Sequence, residues 1–313
     1  AAGGVGSVTL VAGRQGPHEA GQAEPLLLGG DEEVVDDDLR AVGEVAELRL
    51  PDHGAIRPVE AVAVLEAEHA GLAHIWTVDH IAIPPDDAEG SNGRWLDPLA
   101  TLAFLAAATT RIELGISVLV LPYRAALPTA KWIASIQELS GERLHLGIGP
   151  GWMDPEFKAL GVERKRRGRI TDETIDFICQ CFAAPDDVVE ANGQAFLFRP
   201  NPARPPIYVG GMTDAALTRT VRCADAWLPI GIDAEKLKPR AARLAEMAAE
   251  AGRDCPAIVP IGGLPDDQNE AFDHLSACVE LGASDLIQAS RYETTAEFDA
   301  LVHALAALQT LPS

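Results

Sequence analysis

From Glu47 onward, short runs of aliphatic and β-branched residues alternate with longer amphipathic stretches, and this alternation constrains the fold more than any other feature of the chain. The strand-like runs are AELRL (46–50), HIWTV (74–78), IELGISVLV (112–120), RLHLGIG (143–149), PIYVGG (206–211), DAWLPI (225–230), AIVPIGG (257–263) and SDLIQAS (284–290). Between them lie helical stretches such as IRPVEAVAVLEAEHAG, DPLATLAFLAAATT and ALPTAKWIASIQELS. Eight strands each followed by a helix read as an α/β fold of the (β/α)8 TIM-barrel type. The competing doubly wound sheet normally carries a Gly-rich phosphate loop after its first strand. Here the first strand leads into PDHGAIRP, which has no GxGxxG. An insertion over about 161–205 carries the basic run ERKRRGR, a helix, and a hairpin VVEANGQAFLF turning at Asn192-Gly193. It is expected on the face where the strands end.

The first 45 residues break this pattern. They contain no aromatics, nine acidic residues against two basic ones, and the run GGDEEVVDDDLR. Such a segment is expected as an acidic, low-order appendage (1–45) to a barrel spanning 46–313. DEEVVDDD lacks the alternating ligands and central Gly of a calcium loop. The formal net charge of −22 weighs against nucleic acid, which requires basic surface, and equally against anionic membranes. No apolar run approaches the roughly 18 residues of a membrane span, and no basic n-region precedes an apolar core as in a signal peptide. The five cysteines show no CxxC spacing, which suits reduced thiols in a cytoplasmic protein. The expected partner is a small molecule.

Four places could carry chemistry. In WTVDHIAIP, Asp79 and His80 interrupt an apolar run at the end of the second strand, where barrel enzymes build their sites. An imidazole there can donate a proton, stabilise a charge or hydrogen-bond a cofactor ring. The plainer alternative has Asp79 capping a turn and His80 satisfying a backbone carbonyl. In LGISV, Gly115 permits unusual backbone angles and Ser117 offers a small polar group; a kinked strand with a β-bulge reads equally well. In GIGPGWMDPEF, Gly147, Gly149 and Gly151 let backbone approach a ligand and Trp152 offers a flat face. Asp154 there reads equally as an N-cap with Pro155 at the first helical position. In YVGGMTDAAL a strand runs into Gly210-Gly211 before Thr213 and Asp214 start a helix, whose N–H groups suit a phosphate. No HxH, HExxH or His/Cys cluster has metal spacing, so no metal is expected, and no GxSxG elbow occurs.

Taken in order, these places resemble the luciferase-like monooxygenase superfamily, and within it the F420-dependent oxidoreductase branch, which uses a 5-deazaflavin. The matching stretches are GLAHIWTVDHIAIP, WLDPLATLAFLAAATTRIELGISVLVLPYR, AKWIASIQELSGERLHLGIGPGWMDPEFKALGV, RRGRITDE and RPPIYVGGMTDAALTRTVRCADAWLP, covering about 46–290. The resemblance implies a flavin-like ring at the strand-end mouth, with Asp79 and His80 as the catalytic pair and the histidine close to the ring. It implies a bulge with a non-prolyl cis peptide at Ser117-Val118 behind the ring. Gly149, Gly151 and Trp152 would line the cofactor's surroundings, and Gly210, Gly211 and Met212 its phosphate-bearing chain. Arg167 and Arg169 are candidate phosphate or polyglutamate partners, or simply a solvated helix start. The chain departs from the branch at Ile116, Gln137 and Glu142, where Thr, Asp and Gly are common. The implied activity is hydride transfer between F420 and a small, apolar organic substrate. The alternatives are an FMN-dependent monooxygenase and a catalytically silent flavin- or deazaflavin-binding protein. Members of the superfamily are often homodimers.

Overall fold

The computed structural model describes residues 6–13, 59–87, 93–292 and 294–309. Its strands in chain order are β1 (Gly6–Gly13), β2 (His74–Thr77), β3 (Glu113–Val120), β4 (Leu144–Gly149), β5 (Val188–Ala191), β6 (Gln194–Leu197), β7 (Ile207–Gly210), β8 (Ala226–Leu228), β9 (Ala257–Ile258), β10 (Ile261–Gly262) and β11 (Asp285–Tyr292). The helices are α1 (Val59–His69), α2 (Pro98–Ala108), α3 (Ala126–Leu139), α4 (Asp154–Ala159), α5 (Arg167–Phe182), α6 (Asp214–Cys223), α7 (Ala234–Glu250), α8 (Gln268–Glu280) and α9 (Thr295–Gln309). None of the described helices is long and apolar enough to cross a membrane.

Nine strands form one sheet in the order β10-β11-β1-β2-β3-β4-β7-β8-β9. All its pairings are parallel except those of β1, which runs antiparallel to both β2 and β11. β9 pairs with β8, β10 pairs with β11, and a bridge between Ile230 and Ile261 joins the two edges, so the sheet closes into a barrel. The expected first strand, 46–50, lies outside the described residues. Of the segment expected as an appendage, Gly6–Gly13 is described, and it fills the sheet position between β2 and β11.

Side chains alternate across each strand. Leu114, Ile116, Leu146, Ile148, Ile207 and Val209 face the helical layer and form its core. The residues between them face the lumen, where Trp76, Ala226, Leu228, Val259 and Ile287 cluster. Trp76 is 2% exposed, and a Cβ on Gly115 would run into its indole. Burying an indole removes about 150–250 Å² from water, worth roughly 4–6 kcal/mol at about 25 cal/mol per Å². That gain explains why a strand interior tolerates Gly115.

The hairpin β5–β6 turns at Asn192 (φ 51°) and Gly193 (φ 75°), as the sequence predicts. It differs from expectation in its placement. α5 has 16 residues and at 1.5 Å per residue runs about 24 Å back toward the strand starts. The chain after it lies there: Ala203 N–H donates to Glu142 (3.0 Å) and Gln137 donates to the Ala203 carbonyl (3.2 Å), both next to the start of β4. Two of the departures from the family pattern, Gln137 and Glu142, thus hold one backbone residue, far from the strand ends.

Candidate functional site

At the end of β2 the backbone turns outward at Val78, and the next two side chains part company. Asp79 is buried and turned toward β3. Its carboxylate accepts from Val120 N–H (2.9 Å) and takes both ends of the Arg124 guanidinium (2.6 and 3.0 Å). Arg124 also donates to Asp97 (2.8 Å), the N-cap of α2. Burial pushes the Asp79 pKa up, against the pull of Arg124 and Val120. Asp79, Arg124 and Asp97 therefore bind the ends of β2 and β3 to the start of α2.

His80 stays at the surface of the mouth. Its side chain is 18% exposed, and its Nδ1 lies 3.3 Å from Oε2 of Glu156, which is 1% exposed. Glu156 also accepts from Ile81 N–H (2.6 Å), Ala82 N–H (3.0 Å) and the Tyr123 hydroxyl (2.8 Å). Burial alone would raise the Glu156 pKa; these donors and His80 outweigh it and hold the carboxyl below the usual range. The His80 ring lies 4.8 Å from Trp95 and 6.5 Å, edge-on, from Trp152. Trp152 is 68% exposed, large apolar surface left uncovered at the rim.

The floor of the mouth comes from β3, β4 and β7. The β3–β4 register shifts between Ile116 and Leu119, and the Ser117-Val118 peptide within that bulge is cis. The bulge lets Val118 join the lumen cluster. A Cβ on Gly149 or on Gly210 would stand 2.7 Å from the Val118 methyls, so both glycines leave that side chain bare. The Ser117 hydroxyl is buried with no hydrogen-bond partner among the described residues, an arrangement that costs free energy unless a ligand satisfies it. Gly151 (φ 74°) and Gly211 (φ 124°) take backbone angles that a side chain would strain. Trp227 Nε1 donates to the Gly211 carbonyl (2.7 Å), fixing the Gly-Gly turn from the helical layer. An unsatisfied hydroxyl beside a bare, glycine-flanked platform fits the flat ring of a flavin-type cofactor.

Of the residues singled out by sequence, His80 meets Trp152, and Val118 meets Gly149 and Gly210. Met212 packs instead against the Leu217–Trp227 cluster in the helical layer. Asp154 is the first residue of α4 rather than its N-cap, and pairs with Lys158 four residues on (2.6 Å). Arg169 pairs with Glu173 (2.6 Å), and Arg167 donates to the Arg164 carbonyl (3.2 Å). Sequence reasoning missed Glu156, Tyr123, Arg124 and Asp97. Glu156 stands 76 residues from its histidine, and as the last acid of DPEF it looks like helix surface. No cluster of His, Cys, Asp or Glu suited to a metal occurs among the described residues.

Residues 45–301 match the family model for luciferase-like monooxygenases. An uncharacterized protein of Mycobacterium tuberculosis is 30% identical over 247 residues, 73% of this chain and 84% of its own. Among solved structures, the monooxygenase RslO1 from Streptomyces bottropensis superposes with a TM-score of 0.67 at 17% identity, covering 80% of this chain and 92% of that one. An F420-dependent secondary alcohol dehydrogenase, in complex with an F420–acetone adduct, superposes with a TM-score of 0.58 at 17% identity over 79% and 77% of the two chains. Another solved protein of this fold is in complex with FMN. With more than half of its length matched, the chain belongs to the luciferase-like monooxygenase family.

Proposed function

We propose that this protein is an F420-dependent oxidoreductase, moving a hydride between the deazaflavin and a small, apolar organic substrate at the strand-end mouth. The observation that carries the reading is the floor: the unpartnered Ser117 hydroxyl beside Val118, left bare by Gly149 and Gly210. These residues would hold the ring, and the Gly210-Gly211 turn the phosphate-bearing chain. When bound, a deazaflavin supplies a carbon centre that donates or accepts a hydride and reacts poorly with oxygen.

The chain's own groups do the rest. His80, whose Nε2 has no partner among the described residues, holds or gives up a proton at the substrate's oxygen. Trp95 and Trp152 flank that imidazole with apolar surface and exclude water from it. Asp79 acts through structure, holding the loop that carries His80. Arg164, Lys165 and Arg166 are exposed and form no ion pair among the described residues. In a chain of net charge −22, such a group of free cations suits a cofactor with an anionic tail.

Fluorescence titration of purified protein with oxidised F420 and with FMN, separately, tests the reading. Tight F420 binding with weak FMN binding supports it. A preference for FMN overturns it in favour of oxygen-dependent chemistry on the same fold, and binding of neither overturns it and leaves only the fold.

A further inference from the structure

The Glu156 side chain, on a six-residue helix, is buried and meets donors from two separate segments, residues 80–82 and Tyr123. Oε1 takes the Ile81 and Ala82 N–H groups at 2.6 and 3.0 Å, and Oε2 takes the Tyr123 hydroxyl at 2.8 Å and faces His80 Nδ1 at 3.3 Å. A carboxylate offers about four lone-pair sites, so this one is saturated. Ionised, it can only accept. Its contact with Nδ1 therefore requires the proton of a neutral His80 to sit on Nδ1. The other ring nitrogen is then an acceptor, and no group among the described residues occupies it.

We propose that Glu156 is a positioning residue that fixes His80 in the Nδ1–H tautomer and presents an unprotonated Nε2 to the mouth. The inference rests on the reading of His80 as the proton-handling group. The same carboxylate clamps the backbone just after His80, so one buried side chain on α4 sets both where the imidazole stands and which nitrogen works. Tyr123 is the third leg: burial and the neighbouring Glu156 raise its pKa, which keeps its hydroxyl a donor to Oε2. A purely structural Glu156 would need its backbone partners alone and would be indifferent to the tautomer.

Gln at this position separates the two roles. In Glu156→Gln the amide oxygen can still accept from Ile81 and Ala82, but an NH₂ group replaces Oε2 and turns a donor toward Nδ1. The Nδ1–H tautomer then meets a donor, and His80 should switch to Nε2–H. The measurement is a long-range ¹H–¹⁵N spectrum of cofactor-free protein labelled with [¹⁵N]histidine, at about pH 8, above the ordinary histidine pKa of about 6.5. Loss of a resonance in His80→Asn assigns His80. The expected result is Nδ1–H in the wild type and Nε2–H in Glu156→Gln. Nε2–H or a mixture in the wild type overturns the proposal even if the variant fails to fold, and so does an unchanged tautomer in a folded Glu156→Gln. No cofactor is present in this experiment, so its failure is distinct from failure of the F420 reading.

Discussion

Each end of the barrel holds a histidine facing a glutamate at 3.3 Å: His80 with Glu156 where the strands finish, His145 with Glu113 where they begin. A His–Glu pair alone therefore does not mark a site. At the strand starts, His145 spends both ring nitrogens on protein, Nε2 on Glu113 and Nδ1 on the Tyr208 hydroxyl at 2.6 Å, and it stacks on the Tyr208 ring. Its glutamate opens to solvent at 37% exposure. At the strand ends the carboxylate is buried instead, while the imidazole is about as exposed as His145 (18% against 14%) and has one ring nitrogen without a partner among the described residues. The surroundings differ as well: Trp76 and Tyr208 fill the lumen near His145, whereas glycines strip side chains from the floor of the mouth. A group is poised for chemistry when its partner is fully used and it is not.

The largest expected effect comes from exchanging the two histidines' roles. His80→Ala is expected to lower turnover with F420 by about 10²–10⁴-fold, the usual worth of a positioned acid–base group, with little change in thermal midpoint. His145→Ala should do the reverse, lowering the midpoint while leaving turnover near wild type. Equal loss of turnover in both variants would erase the distinction between the ends.

Next is the ion pair behind the mouth. Arg124→Leu leaves Asp79 buried without its cation, which typically costs about 3–5 kcal/mol. Glu113→Gln disturbs a pair open to solvent and should cost under about 1 kcal/mol. Urea midpoints of the two variants would show the gap.

Acid sharpens the comparison from the strand-start side. Burial, and secondarily the charge of His145, lowers the His74 pKa from an ordinary 6.5 to about 3. Between those values the unfolded chain binds more protons than the folded one, so stability is full above pH 6.5 and falls as the pH drops toward 3. His74→Phe should flatten that slope in urea midpoints measured against pH. An unaltered slope would place the acid sensitivity elsewhere.

The smallest effect belongs to Glu142, whose φ of 66° is unfavourable for a side chain. Glu142→Gly relieves about 1–2 kcal/mol of backbone cost but gives up a hydrogen bond to Ala203 N–H worth about 0.5–1.5 kcal/mol. The net change in unfolding free energy should stay within about 1 kcal/mol.

Much of this was legible in the chain. Strands at 74–77, 113–120, 144–149 and 207–210 follow their β-branched and aliphatic runs closely, because each is buried on both faces. The sequence also placed His80, Trp152 and the Gly149, Gly210 and Gly211 turns at strand ends, since strand boundaries locate a barrel's mouth. Two things were hidden. The strand Gly6–Gly13 sits in a Gly- and Ala-rich stretch whose local composition resembles a tail, and its partners β2 and β11 are remote in sequence. The Glu156 and Arg124 networks were hidden for the same reason. A buried carboxylate is recognised by its donors, and Ile81, Ala82 and Tyr123 come from other loops.

The most direct test of the central claim is to titrate oxidised F420 into [¹⁵N]histidine-labelled protein and follow His80 and His145 in one spectrum. The expected result is a saturating shift of the His80 Nε2 resonance, with His145 unmoved because both its nitrogens are already bound. Movement of His145 with His80 unchanged would contradict the account, and would put the ligand at the wrong end of the barrel.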